Sequence, residues 1–561
     1  MFVKVTTSGG RRYVQLVESY RDDQGRVKKR TVATLGRYEQ CASGLNAVIA
    51  GLRKITGQPL PAPIPDLSFE PARALGDTWA LTELWNELGF DDLRRVFRRT
   101  RHRIDVEALV RIMVLNRLCD PESKLGMLRW LKTVSLPGIV PQRIEHQQLL
   151  RAMDALVDQR DAVDEVLSAL LRPLLDRDLA VVFYDLTTIR AEGLSIQTND
   201  VRQFGMSKEG SIARQFMLGV VQTAEGIPLY HEVFDGNTAE VSSLKPTIKK
   251  VLQRFPVKRV IAVADRGLLS TDNLAELQAI TLPQGGTFEF ILAVPGRRYA
   301  DFIELLQPLQ PSLNQSTHET LSETKWHGLR LIVAHNPSTA AAQSAERDRQ
   351  IAELEQQAEQ WAGKLDAQEG GRRARGRKLS DGGARARFYH AVCEAHLARI
   401  VRVDLKSERF TYSIDENALT HARLMDGKLL LVTNTKDLTP GEILARYKSL
   451  ADIERGFRVL KSEIEIGPVY HRLPERIRAH AAICFMALIL HRVIRNRLRV
   501  NHSKLSPERA LASLQRIQHH RVTPAGGKLI EGITSISADD AALFTAIGVK
   551  KPAKNEQLTL L

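Results

Sequence analysis

Apolar residues recur along this chain in several rhythms, each predicting a different element. Near the start, "RYVQLVESYR" and "RVKKRTVATLG" flank the polar "DDQG", which predicts a hairpin with a basic second strand over residues 1–58. The proline-rich "PLPAPIPD", residues 59–66, reads as a linker. From 72 to 178 the spacing turns helical: Leu81, Leu84, Trp85 and Leu88 share one face, and "DVEALVRIMVLNRL" follows with Asp105 placed as its N-cap. This block is either a set of DNA-binding helices or a helical packing domain, since no helix-turn-helix signature separates the two.

A strand-rich stretch follows over 179–295. "LAVVFYDLTT" carries an apolar run ending at Asp185, and "RQFMLGVVQTAEGIPLYHEVFDGN" reads as strands around a turn. "EVSSLKPTIKKVLQRF" has helical spacing, and "VKRVIAVADRG" ends a second apolar run at Asp265. Strands around a helix, with carboxylates at strand ends, describe an α/β core. Regularity then breaks over 296–425, which holds a charged helix, "AERDRQIAELEQQAEQWAGKL", and a Gly-spaced basic run from Arg372 to Arg387 that is either a solvated loop or a phosphate clamp. Residues 426–500 resume the core. The tail, 501–561, reads as helical, with Ser506 as N-cap and Pro507 at the first helical position. The apolar run Ala481–Leu490 is too short to cross a bilayer and reads as a buried helix, so no membrane partner is expected.

"YKSLADIERGFRVLKS", Tyr447 to Ser462, carries candidate chemistry. Ile453, Phe457, Leu460 and Ile464 make one apolar stripe, while Tyr447, Glu454 and Lys461 recur every seven residues at its border. A salt-bridged surface would explain that spacing alone, and a strand-end aspartate is commonly a turn or cap residue. If the strands ending at Asp185 and Asp265 are neighbours, however, both carboxylates meet at one sheet edge and Glu454 can close the site. Three clustered acids raise one another's pKa unless a cation neutralises them, and oxygen donors without His or Cys select Mg²⁺ or Mn²⁺. Two such ions suit in-line attack on a phosphodiester, with Arg458 and Lys461 toward the DNA backbone.

Charge agrees with a polyanionic partner: 80 Lys and Arg oppose 65 Asp and Glu, a formal +15. The four cysteines lie too far apart in sequence for a zinc motif or a disulfide framework, which fits a reducing cytoplasm. The N-terminus lacks the order of a signal peptide.

The strings "FYDLTT", "FGMSKEG", "GIPLYHEVFDGNTAE", "VADRG", "YKSLADIERGFRVLK" and "PVYHRLPERIRAHAAICFMAL" together resemble the DDE transposases of bacterial insertion sequences. That resemblance implies an α/β, ribonuclease-H-like mixed sheet interrupted by a β-rich insertion (296–425), with helical N- and C-terminal regions. It implies catalysis by Asp185, Asp265 and Glu454 with two Mg²⁺ ions, which Mn²⁺ can replace. It further implies cleavage of terminal inverted repeats, joining of the 3′-hydroxyls to target DNA, and a homodimer or larger synaptic assembly at the bacterial nucleoid. Tyr447 and Lys461 match the signature Y-x2-R-x3-E-x6-K and would contact terminal phosphates; Leu450 stands where the arginine belongs, which shifts that contact toward Arg455 or Arg458. Relatives that use hairpin intermediates stack a flipped base on an aromatic, a role open here to Trp326 or Trp361, and His471 and His480 lie in a basic stretch that either meets DNA or is a solvated helix. The alternatives are a metal nuclease on the same fold that does not transpose and a DNA-binding regulator with a dead site.

Overall fold

The computed structural model describes residues 1–57, 67–99, 103–174, 180–193, 195–206, 212–238, 240–255, 259–264, 271–282, 288–314, 316–370, 378–524 and 528–553. They fall into two units, Met1–Glu70 with Arg521–Glu531, and Pro71–His520 with Gly532–Leu561.

In the smaller unit the expected hairpin forms between β2 (Arg11–Arg21) and β3 (Val27–Arg37). Asp22 closes its turn by accepting from the amides of Gln24 and Arg26 at 3.1 and 2.9 Å, and Gly25 adopts φ +76°. β1 (Phe2–Ser8) pairs antiparallel with the other edge of β2, and α1 (Tyr38–Ile55) follows β3. β1 lies outside the expected hairpin, and nearly all of its side chains are exposed.

The larger unit begins with helices α2 (Gly76–Glu87), α3 (Val106–Cys119), α4 (His146–Asp158) and α5 (Arg160–Leu171). Asp105 caps α3 as expected, accepting from Ala108 N at 3.1 Å. α3 is buried nearly all round. Its Glu107, 1% exposed, is held by Trp85 Nε1 at 2.9 Å, Arg94 at 2.7 Å and Arg111 at 3.3 Å. These helices share one continuous core with the sheet.

The sheet is built from β4 (Ala180–Arg190), β5 (Gln203–Met206), β6 (Ile212–Thr223), β7 (Pro228–Asp235), β8 (Val260–Ala264), β9 (Glu289–Ala293), β10 (Thr320–Trp326), β11 (Leu329–His335) and β14 (Lys428–Thr433). Its order is β10-β11-β14-β9-β8-β4-β6, with β5 and β7 sharing the outer edge of β6. β9, β8 and β4 are parallel and the other pairs antiparallel. Parallel neighbours need crossovers, supplied by α6 (Glu240–Arg254) before β8 and α7 (Thr271–Gln278) before β9. β8, "VIAVA", is buried throughout, as a strand covered on both faces should be.

The stretch 296–425 is not β-rich, contrary to expectation. Among its described residues the longest elements are α8 (Pro337–Glu369), α9 (Asp381–Glu394) and α10 (Glu416–Met425), beside the short pair β12 (Val401–Val403) and β13 (Tyr412–Ile414). Ile351, Leu354 and Ala358 of α8 meet Phe388 and Val392 of α9 in a small separate core. The one substantial hairpin, β10–β11, extends the main sheet by pairing with β14, a partner almost a hundred residues away that local pattern cannot reveal. Of the basic run, residues 372–377 lie outside the described residues; Arg385 and Arg387 stand on α9.

Two helices precede the long central one: α11 (Pro440–Lys448) and α12 (Leu450–Ser462), then α13 (Pro474–Val500). α13 is long and apolar enough by composition to cross a membrane, but 89% of that window is buried against α3, α4 and β7. The tail is not wholly helical. α14 (Pro507–Leu514, capped by Ser506 as expected) and α15 (Ala538–Ile547) flank a strand, Gln518–Pro524, whose Gln518 and His519 pair with Ala74 and Arg73. That pairing too is set by a distant partner.

Candidate active site

β4 presents alternate residues to opposite sides. Val182 and Tyr184 enter the large core, while Val181 and Phe183 belong to a second layer with Ile261 and Val263 of β8, covered by Ile443 and Leu444 of α11 and by Leu450 at the start of α12. Asp185 is the next residue in the Val181–Phe183 row. It is 8% exposed, and its Oδ1 accepts from Leu186 N at 2.7 Å. The expected strand end is corrected: the apolar run stops at Asp185 but β4 continues to Arg190, because Leu186 and Ile189 are buried and β6 pairs along the whole segment. Ala264, the last residue of β8, lies opposite Tyr184.

Asp265 lies outside the described residues, as does the side chain of Glu454, whose backbone belongs to α12. α12 packs on β4 and α13, burying Phe457 and Leu460. Arg458 and Lys461 are exposed on the same helix.

Tyr447 departs from expectation. It stands on α11, half-buried against the second layer, so the seven-residue spacing to Glu454 does not run along one helix. The break falls at Ser449, whose hydroxyl donates to Ala445 O at 3.0 Å, a local bond that competes with helix continuation. Leu450, 6% exposed, sits in the second layer; the position the signature gives to arginine is a core position here.

A feature absent from the sequence reading lies beneath α12. A methyl built on Gly456 would come 2.8 Å from Arg492 Nη2 and 2.9 Å from Gln222 Oε1. Gln222 is fully buried on β6, and its amide has no hydrogen-bond partner among the described residues. The signal was available as a lone glutamine in the apolar run "MLGVVQT". Gly456 thus sets how closely α12 approaches the sheet.

Both tryptophans are committed to packing: Trp326 lies 5.0 Å from Phe302, and Trp361 meets Phe388 and Phe410 edge-on at 6.2 and 6.4 Å. His480 is buried with Nε2 2.9 Å from Ile466 O, which removes it from any DNA surface, and burial with the nearby Lys124 charge takes His471 down to about 4.

Among the described residues no three His, Cys, Asp or Glu side chains gather as a metal cluster. The donor chemistry around Asp185 nonetheless suits a hard cation, for β4, β6 and β8 contain neither His nor Cys.

Residues 176–490 match the family model described as the transposase DDE domain, and residues 3–63 match the N-terminal domain of IS1634 family transposases. Comparison with curated proteins returns no match. A solved structure titled Drosophila P element transposase strand transfer complex is similar at 10% identity over 73% of this chain and 98% of that one, with a TM-score of 0.25.

Proposed function

Because this chain belongs to the DDE transposase family, we propose that it cleaves the ends of an insertion sequence and joins the freed 3′-hydroxyls to target DNA, using Asp185, Asp265 and Glu454. The observation that carries this reading is the phase of the second layer. Val181 and Phe183 lead to Asp185, and Ile261 and Val263 share their layer on the parallel neighbour, whose Ala264 lies opposite Tyr184; Asp265 is the next residue in the sequence. Glu454 belongs to α12, the helix that packs on β4 through its buried Phe457 and Leu460. The strands β7-β6-β4-β8-β9, with β4 central and β8 and β9 parallel to it, support a ribonuclease-H-like core. The 296–425 stretch is then the insertion, entered after β9.

The three carboxylates would hold two Mg²⁺ ions, with Mn²⁺ as substitute, which when bound supply a nucleophilic oxygen at neutral pH and stabilise the leaving oxygen. The packed sheet and the helix that covers it are the frame on which the chain would hold the acids. Arg458 and Lys461, exposed on α12, face the phosphates of the scissile strand, and Tyr447 positions the neighbouring backbone from α11. Water displaces the 3′-oxygen at the element's end; the freed 3′-hydroxyl then attacks a target phosphodiester, breaking one P–O bond as it forms another. Two ends must be processed together, so the working form is a homodimer or larger synaptic assembly, acting in the bacterial cytoplasm at the nucleoid.

The test is incubation of an end-labelled terminal repeat with Mg²⁺ and either the wild type or Asp185→Asn. Cleavage by the wild type alone is expected. Equal cleavage by both removes Asp185 from the mechanism; end binding without cleavage favours a regulator, and cleavage without joining a nuclease.

A further inference from the structure

The three-stranded sheet of the smaller unit has two chemically different faces. Residues directly opposite in antiparallel strands share a face. β1 and β2 pair Phe2 with Val17 and Lys4 with Gln15; β2 and β3 pair Gln15 with Thr34, Val17 with Thr31, Ser19 with Lys29 and Tyr13 with Arg37. One face therefore carries Lys4, Gln15, Lys29, Thr31, Thr34 and Arg37 beside Phe2, Tyr13 and a buried Val17, and no acid. The other carries Val3, Val5, Val14, Leu16 and Ala33 beside Arg12, Glu18, Lys28 and Arg30. Side-chain contacts agree with this division: Gln15 Nε2 donates to Thr34 Oγ1 at 3.3 Å and Lys29 lies 5.5 Å from the Phe2 ring centre on the first face, whereas Arg30 pairs with Glu18 at 2.7 Å on the second. Arg12, two residues before Val14 on the apolar face, lies over the Tyr38 ring at 4.4 Å and bonds Glu39 at 3.1 Å, so α1 starts over that face.

Charge is concentrated here. Residues 1–37 hold nine Lys and Arg against three Asp and Glu, a net +6 out of the chain's +15. The only acid within the three strands, Glu18, is on the second face, where Arg30 pairs with it. Three strands spaced about 4.8 Å apart span about 10 Å, against a major groove about 12 Å wide. Two bulges, between Val14 and Gln15 and between Leu16 and Val17, add the twist needed to follow a helical groove.

We infer that this sheet lays its polar face in the major groove of double-stranded DNA, with Gln15, Thr31 and Thr34 at base edges and Lys4, Lys29 and Arg37 at phosphates. The inference rests on the transposase reading and adds the surface that finds the element's ends.

Its test uses the full-length chain and fluorescence anisotropy with two labelled duplexes, one carrying the element's own end and one scrambled. Lys4→Ala with Lys29→Ala is expected to weaken both duplexes about tenfold and to lower the salt slope by about two. Gln15→Ala with Thr31→Ala is expected to erase most of the preference for the end while leaving scrambled binding within twofold. Lys28→Ala with Arg30→Ala, equal in charge but on the opposite face, should change either affinity by less than threefold. Thermal melts check folding, and Lys4→Gln with Lys29→Gln repeats the test should alanine lower the melting temperature. Equal losses from the two faces, or wild-type binding by the polar-face variants, overturn the inference while Asp185→Asn still reports on the chemistry. A wild type that neither binds nor cuts the end overturns both.

Discussion

Ala264 lies beside Tyr184 on two parallel strands, and one residue later each chain reaches an aspartate. Everything proposed for the chemistry depends on α12 covering that spot at the right height, and Gly456 sets the height. Gly456→Ala adds a methyl that meets the Arg492 guanidinium and the Gln222 amide at under 3 Å. Overpacking of this kind costs about 1–3 kcal/mol. End cleavage should fall at least tenfold while anisotropy reports unchanged end binding; undiminished cleavage would show that α12 does not govern the site.

Leu450→Arg installs the arginine of the family signature. In this chain the position is a core position, so a guanidinium there lacks both solvent and partner, at a cost of about 3 kcal/mol or more. The expected result is a lower melting temperature and lost cleavage. A gain in cleavage at unchanged stability would mean the side chain reaches DNA after all.

Acid should destabilise the fold earlier than carboxylate titration alone predicts. Burial takes His231, stacked 4.5 Å from Phe485, down to about 3, takes His471 down to about 4 and pushes His480 well below its usual range. The unfolded chain binds these protons near pH 6.5, and the folded chain refuses them until its own lower values. Stability is therefore complete above about pH 6.5 and declines as pH falls, by up to about 1.4 kcal/mol per pH unit for each histidine. Urea unfolding at pH 7.5, 6.5 and 5.5 reads the slope, and His231→Phe should flatten it. A flat profile down to pH 5 would contradict the assignment.

Glu232 ties three elements together: Arg160 of α5 at 2.8 Å and Lys250 of α6 at 2.5 Å both reach its carboxylate on β7. Burial alone would raise its pKa, but the Arg160 charge and hydrogen bonds from Lys250, Tyr230 and Arg160 bring it down to about 2. Glu232→Gln leaves the cations without their shared anion. Because Arg160 and Lys250 are partly exposed, the loss should be about 2 kcal/mol rather than the larger cost of a fully buried pair. Chemical denaturation at pH 7 measures it, and an unchanged midpoint would refute it.

Features that depend on near neighbours in the chain could be read directly. Asp105 and Ser506 were recognisable as caps because capping joins residues three apart, and the β2–β3 hairpin because its turn is local. The apolar runs before Asp185 and Asp265 and the spacing within "ADIERGFRVLK" were likewise legible, since alternation and helical phase are properties of consecutive residues.

Other features waited for partners far along the chain. Nothing local says that β10–β11 will join β14, that β4 will run past Asp185 because β6 accompanies it, or that Gln518 will pair with Ala74. Nor does periodicity reveal that Ser449 divides Tyr447 from Glu454, or that Leu450 points into a buried layer. The sequence by itself determined which residues could form strands, helices and caps, and placed the acids beside apolar runs. Only the tertiary structure decided which strands became neighbours and which face each side chain received, because register is settled by distant segments burying their apolar faces together, a free-energy gain no short window contains.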